Sequence, residues 1–283
     1  EVETANSAAK KLKKQGVKAI VVLMHEGGAN AGTYNSCVGI SEPIATMATQ
    51  FSPEIDHIVT GHTHNPYVCS IPDPAGNPRT VTSAADYGRV VTETNLVINR
   101  RSGEVDRRRT TSMNHLVTRT AKDPVQTEVI AKWKALSGEL GAQVVGTHVE
   151  DIIGHSDPRS NRAIETPMGN LVADAILWGT SGDNGGAQIA FMNVGGVRAS
   201  LPMAPVAGEG VGNITYAEAY AVAPFGNLLN TITMTGAQIK AVLEQQYRVS
   251  GAGVASTLSI NVSEGFTYTW TAGNAAGSKV SDM

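Results

Sequence analysis

Two short strand-like runs, each emptying into histidine, constrain this chain more than any other feature. Residues 17–24 are almost continuously β-branched or apolar and deliver His25 at their end. Residues 56–60 form a second run that passes directly into Gly61-His62-Thr63-His64. An unbroken run of the first kind suits a strand covered on both faces, as in a sheet sandwiched by helices. Helical spacing at residues 3–14, stopped by lysines and Gly16, and again at residues 41–50 places a helix before each strand. The first part of the chain therefore reads as α/β.

In open α/β sheets, ligands bind outside the carboxyl ends of the strands, and two such ends here carry histidine. Neutral imidazole is the commonest metal ligand. Glycine at position 61 permits a sharp turn, and the one-residue gap lets His62 and His64 reach two different points. His25, His62 and His64 are the candidate metal ligands; the plainer alternative is polar loop histidines with no ligand role.

After residue 79 the texture turns to strands, expected at 79–83, 88–99 and 104–111, with an Arg-Arg-Ser-Gly turn between the last two. A helix is expected from Val125 to about Leu140 as a connector. Beyond it, Thr166-Pro167 reads as an N-cap followed by proline at the first helical position, leading into residues 168–178. Residues 188–192 read as a buried strand, and Thr235 to Gln238 as a capping box. Brief Gly/Ala-rich patches lie near Gly251 and Ala272.

The net charge of -3 offers no broad footprint for a nucleic-acid polymer or an anionic membrane. No stretch approaches the roughly 20 apolar residues that span a bilayer. Cys37 and Cys69 are an even pair: bridged, they suggest an oxidising compartment; otherwise they are two buried thiols.

Val21 to His25, followed by Ile55 to His64, resembles the last two metal-binding motifs of the calcineurin-like metallophosphatases, in their 5′-nucleotidase branch. The resemblance implies two divalent metal ions, Zn, Mn or similar, with His25 and His62 on one and His64 on the other. An ion pair of this kind, about 3.5–4 Å apart, would clamp the attacking water and the leaving oxygen of a phosphate ester. The family's earlier motifs, Asp-x-His, Gly-Asp and Gly-Asn-His-Glu/Asp, which normally precede this region, are absent ahead of it in these 283 residues. The chain is therefore expected to be part of a longer enzyme, inactive by itself.

The remainder resembles the substrate-binding C-terminal domain of the same enzymes. Thr166 to Ala175 looks like its first signature, Asn193-Val194-Gly195-Gly196-Val197-Arg198 its second, and Pro224-Phe225-Gly226-Asn227 its third. A nucleotide needs an aromatic face, amides for the base edge and guanidinium forks for phosphate. Phe225 would stack, Asn193 and Asn227 would hydrogen-bond, Arg198, Arg159 and Arg162 would meet phosphate, and Gly195 and Gly196 would permit close approach. Asp174 reads as a structural hydrogen-bonding residue. The alternative is a core Phe225 and solvated arginines.

The expected architecture is an α/β sandwich, the C-terminal part of a metallophosphatase domain, at residues 1–117. A linker helix at 118–143 and a smaller α+β substrate-binding domain at 144–283, itself expected to be truncated, follow. The expected ligand is a nucleotide, and the expected location is secreted, periplasmic or cell surface. The rival readings are a nucleotide-binding or surface-interaction protein that has lost catalysis, a 2′,3′-cyclic phosphodiesterase or UDP-sugar hydrolase relative, and a relative acting on sulfur compounds or bis-phosphates.

Overall fold

The structure, a computed structural model, describes residues 1–206, 208–249 and 255–283. The Gly/Ala-rich patch near Gly251 lies outside the described residues. Two compact units emerge: residues 1–121, and residues 122–249 with 255–283.

The first unit opens with α1 (Val2–Lys14), which buries Ala9 and stops before Gly16 at a positive φ of 86°. Strands β1 (Val21–Leu23), β2 (His57–Thr60), β3 (Tyr67–Ser70) and β4 (Thr80–Ser83), with α2 (Ile44–Gln50) between the first two, form one sheet in the order β1-β2-β4-β3. β1, β2 and β4 run parallel, and β3 returns antiparallel to β4. Ile44, Ala48, Phe51, Ile55, Ile58, Tyr67 and Val81 make the core.

Two expectations need correction. β1 is an edge strand among the described residues, and Leu23 is 78% exposed, so only one face of the apolar run is covered. The strand expected at 104–111 is instead mostly a turn, with β5 (Val90–Asn95) pairing to β6 (Thr111–Leu116) further along. The reason is Arg107. Its guanidinium reaches Asp56 at 2.9 Å and Asp73 at 2.7 Å and donates to the Pro53 carbonyl, which fixes this segment as a turn.

A second buried guanidinium closes α2. Arg79 is 1% exposed and donates to the carbonyls of Ala48 and Phe51 at the end of the helix and of Ser52 and Ile55 in the turn beyond it. Burial and then the nearby Arg107 charge bring its pKa down to about 10, against the opposing fields of Asp73 and Asp56. Cys37 and Cys69 are joined, Cα to Cα 5.0 Å, tying the loop after β1 to β3.

The second unit begins with α3 (Pro124–Gly141), capped by Asp123. The segment read as a connector thus falls in this unit, where Gly141 packs against Ala217. β7 (Val144–Thr147) and α4 (Pro167–Thr180) follow, then β8 (Phe191–Asn193), β9 (Asn213–Thr215), α5 (Tyr216–Val222) and α6 (Gly236–Glu244). Short strands β10 (Tyr247–Val249), β11 (Ala255–Thr257), β12 (Ile260–Val262), β13 (Thr269–Trp270) and β14 (Val280–Ser281) complete it, in antiparallel pairs β7-β9, β8-β12, β10-β11 and β13-β14.

Met168, Val197, Leu201 and Val222 form the core of this unit, packed by Ile152, Val172 and Met192. The Thr166 cap accepts from the Gly169 amide, and both halves of the Thr235–Gln238 capping box are made. Asp174 accepts from the Glu264 amide at 2.6 Å, the structural part its position suggested.

Candidate functional site

Each unit carries one group of candidate residues. In the first, β1 and β2 lie side by side in parallel, Leu23 opposite Val59, so their carboxyl ends bring His25 beside Gly61. The Gly61 amide donates to the Glu26 carbonyl at 3.1 Å. Gly27 is required there, because a Cβ on it would stand 2.4 Å from the Gly61 carbonyl oxygen. The two histidine loops are in this way pressed together.

The result is an edge-to-face pair: the rings of His25 and His62 lie 5.1 Å apart, 68° between planes. His62 and His64 both adopt left-handed backbone, φ 67° and 57°, an uncommon state for residues other than glycine. Thr63 between them donates to the Gly28 carbonyl at 2.6 Å and anchors the turn. Backbone held in this state concentrates where a site must be pre-arranged.

His64 goes elsewhere. Its Nδ1 is 3.2 Å from the Asp86 carboxylate, its ring stands edge-on to Tyr87, and Asp86 also takes Arg89. Asp86 was not singled out from sequence, since an aspartate in Ala-Ala-Asp-Tyr-Gly reads as a turn residue. Among the described residues, no group of three or more His, Cys, Asp or Glu side chains is placed to hold a metal ion. Two imidazoles are half of a tetrahedral set, so the residues present do not make up a complete metal centre.

The second group forms around the Asn193–Arg198 segment. β8 ends at Asn193 and the chain turns through a single 3₁₀ turn, Val194–Gly196. A Cβ on Gly195 would meet the Asn193 amide at 3.3 Å and the Arg162 guanidinium at 3.4 Å, which places those two polar groups together over the glycine. The Arg198 amide donates to the Val222 carbonyl at 2.8 Å, tying the segment to the end of α5. Its guanidinium lies 4.8 Å from the centre of the Phe225 ring.

Phe225 is 47% exposed, which is incompatible with a core plug. Arg198 Nε is buried and has no hydrogen-bond partner among the described residues, an expensive arrangement without a ligand or solvent to meet it. Arg159 is differently placed. Its guanidinium is held by Asp157 and Asp151, each at 2.9 Å, and its bonds pull the Asp157 carboxyl down to about 2. Asn227 is exposed.

One residue absent from the sequence reading belongs here. His155, half-buried, has an enclosed Nδ1 without a partner among the described residues, and Arg162 and Arg198 are the charges that act on it. Burial first, then those two cations, hold its pKa below the ordinary 6.5. The sequence signal was only a lone histidine in a polar loop.

What the second unit defines is an α+β domain whose loops bring guanidinium, amide and aromatic groups to one place. Residues 144–283 match the family described as 5′-nucleotidase, C-terminal domain. The whole chain is 28% identical to Endonuclease YhcR of Bacillus subtilis (strain 168), covering 21% of it. It is also 28% identical, over 87% of its length, to Cell wall protein Lmo0130 of Listeria monocytogenes serovar 1/2a, covering 32%.

In structure, 99% of the chain aligns with 52% of a 5′-nucleotidase precursor from Thermus thermophilus, at 27% identity and a TM-score of 0.57. The chain thus spans about a fifth to a half of the length of these relatives. Its mixed α/β content agrees with that neighbour, and no helix among the described residues is long and apolar enough to cross a membrane.

Proposed function

We propose that the chain is part of a metal-dependent, 5′-nucleotidase-like phosphohydrolase, in which the second unit grips a nucleotide. The observation that carries this reading is the Arg198 guanidinium over a half-exposed Phe225, with Asn193 and Arg162 converging on Gly195 beside it. A planar base can add to the Phe225 face, the Asn193 amide can meet a base edge, and Arg162 and Arg198 can meet phosphate oxygens. Asn227 and Gly196 belong to the same loops. Arg159 acts indirectly, by holding Asp157 and Asp151.

The first unit we read as the C-terminal part of a metallophosphatase sandwich. His25 and His62 would serve one of two divalent ions and His64 the other, with further ligands from outside these residues. Because the ligand set here is incomplete, these 283 residues by themselves are expected to leave phosphate esters intact. The bridged cysteines and the Listeria cell-wall relative support a secreted, periplasmic or surface location.

Calorimetry with AMP, a cyclic nucleotide and a UDP-sugar tests the grip, and phosphate release with Mn²⁺ or Zn²⁺ tests hydrolysis. AMP binding without turnover is the expected result. Absence of binding to all three would refute the nucleotide reading, and turnover by this chain would refute the claim of an incomplete site.

A further inference from the structure

The fold sets His155 against Arg198 by backbone pairing. Ile152 and Leu201 exchange hydrogen bonds at 2.9 and 3.0 Å as an antiparallel bridge. Counting back along that register puts Gly154 opposite Ala199 and His155 opposite Arg198. The contacts agree: a Cβ on Gly154 would stand 3.0 Å from the Ala199 carbonyl oxygen, and the Gly154 amide donates to Ser200 Oγ at 2.9 Å.

Two enclosed nitrogens consequently belong to residues at facing positions, His155 Nδ1 and Arg198 Nε, neither with a hydrogen-bond partner among the described residues. Arg162 is the other cation acting on the histidine. Of the carboxylates on the same loop, Asp151 and Asp157 are both claimed by Arg159. A ring acted on by two guanidiniums resists a positive charge of its own. A dianion placed among the same groups reverses that field.

We propose that His155 is a third member of the anion subsite formed by Arg162 and Arg198, neutral when the subsite is empty and protonated when a phosphate monoester dianion enters. The proton comes from solvent and settles on the imidazole; no bond of the ligand is broken. The inference rests on the nucleotide reading above for the identity of the ligand, but the subsite is one for any compact dianion. Its consequence is that affinity for a compact dianion falls as pH rises through the ligand-bound pKa of His155, while a phosphorylated nucleoside itself becomes a monoanion below its second pKa of about 6. Each unit by which the anion raises that pKa adds about tenfold to the contrast.

The test compares the wild-type chain with His155→Gln. Calorimetry of AMP in two buffers of different ionisation enthalpy counts protons taken up on binding, and the difference between the two proteins removes the contribution of AMP itself. A proton-silent dianion, inorganic sulfate, is titrated into the wild-type chain while the His155 ring is followed by NMR, which needs no variant to fold. The proposal expects greater proton uptake by wild type and a His155 titration moved to higher pH by sulfate.

Equal uptake in both proteins with an unmoved ring titration overturns it. A sulfate-shifted ring in a chain that fails to bind AMP keeps the anion subsite and removes the nucleotide. No binding of either removes both.

Discussion

Asn261 occupies the space that a side chain on Gly169 would need: its Cγ is 2.0 Å from where a Cβ would stand. From there the buried amide accepts from the Thr166 backbone at 2.9 Å and donates to the Met192 carbonyl at 3.2 Å, linking the start of α4 to β8. The glycine in the Thr-Pro-Met-Gly stretch is thus explained by packing. Gly169→Ala is expected to destabilise the second unit by about 1–3 kcal/mol through overpacking. Asn261→Ala, which strands two buried backbone groups, should lose at least as much. Urea unfolding followed by Trp fluorescence measures both, and a neutral Gly169→Ala would show that Asn261 can move aside.

Arg79 makes a comparable prediction for the first unit. A methionine in its place keeps the apolar contacts of the stem but removes the donors it gives to the carbonyls of Ala48, Phe51 and Ser52. A loss of about 3–5 kcal/mol is expected, in the range seen when one partner of a buried polar network is removed. Lysine should rescue only part of it, because one ammonium cannot span four carbonyls in the geometry of a planar fork. Differential scanning calorimetry of the three proteins decides the matter.

His57 ties the same unit to pH. Its Nδ1 shares hydrogen bonds with Thr80, and burial holds its pKa below 6.5, the Thr80 carbonyl pulling in the opposite direction. The unfolded chain therefore binds the proton more readily than the folded one. Stability from this source is present above pH 6.5 and is lost as pH falls below it toward the folded pKa. His57→Gln should flatten the dependence of thermal midpoint on pH between about 7.5 and 5.5. An unchanged slope would place the dependence on another group.

The histidine turns were legible because an apolar run followed by histidine is a local pattern, as were the cap at Thr166 and the box at Thr235. What the sequence hid was non-local. The turn around Arg107 depends on Asp56 and Asp73, 51 and 34 positions away. An apolar run such as residues 17–24 declares that a strand forms but not which neighbour lies beside it, so the exposure of Leu23 was invisible. The helix α5 carries a complete Thr215–Glu218 capping box, yet its seven residues are too few for periodicity to register. His155 becomes notable only through a register with Arg198 that no local pattern encodes.

Metal binding separates the three histidines. His25 and His62 stand edge to face, whereas His64 has its Nδ1 on Asp86 and keeps Nε2 for a metal at a separate point. Equilibrium dialysis with Zn²⁺ is expected to show weak uptake by the chain, lost in His25→Ala and in His62→Ala and nearly unchanged in His64→Ala. Equal losses in all three histidine variants would mean that the loops rearrange to bring His64 inward.

Two of the arginines expected to meet phosphate should part company in ligand binding. Arg198 stands over Phe225 with an unpartnered Nε, and Arg159 is exposed and doubly engaged by Asp151 and Asp157. A charge-assisted bond to phosphate contributes about 1.5–3 kcal/mol, so Arg198→Ala should weaken AMP binding by roughly 10- to 100-fold. Arg159→Ala should change it by no more than about twofold, since surface pairs of this kind contribute little. Adenosine, which lacks phosphate, should bind both variants with nearly equal affinity. If Arg159→Ala proves as damaging as Arg198→Ala for AMP and harmless for adenosine, the guanidinium leaves its carboxylates for the ligand and the loop around Asp157 is part of the grip.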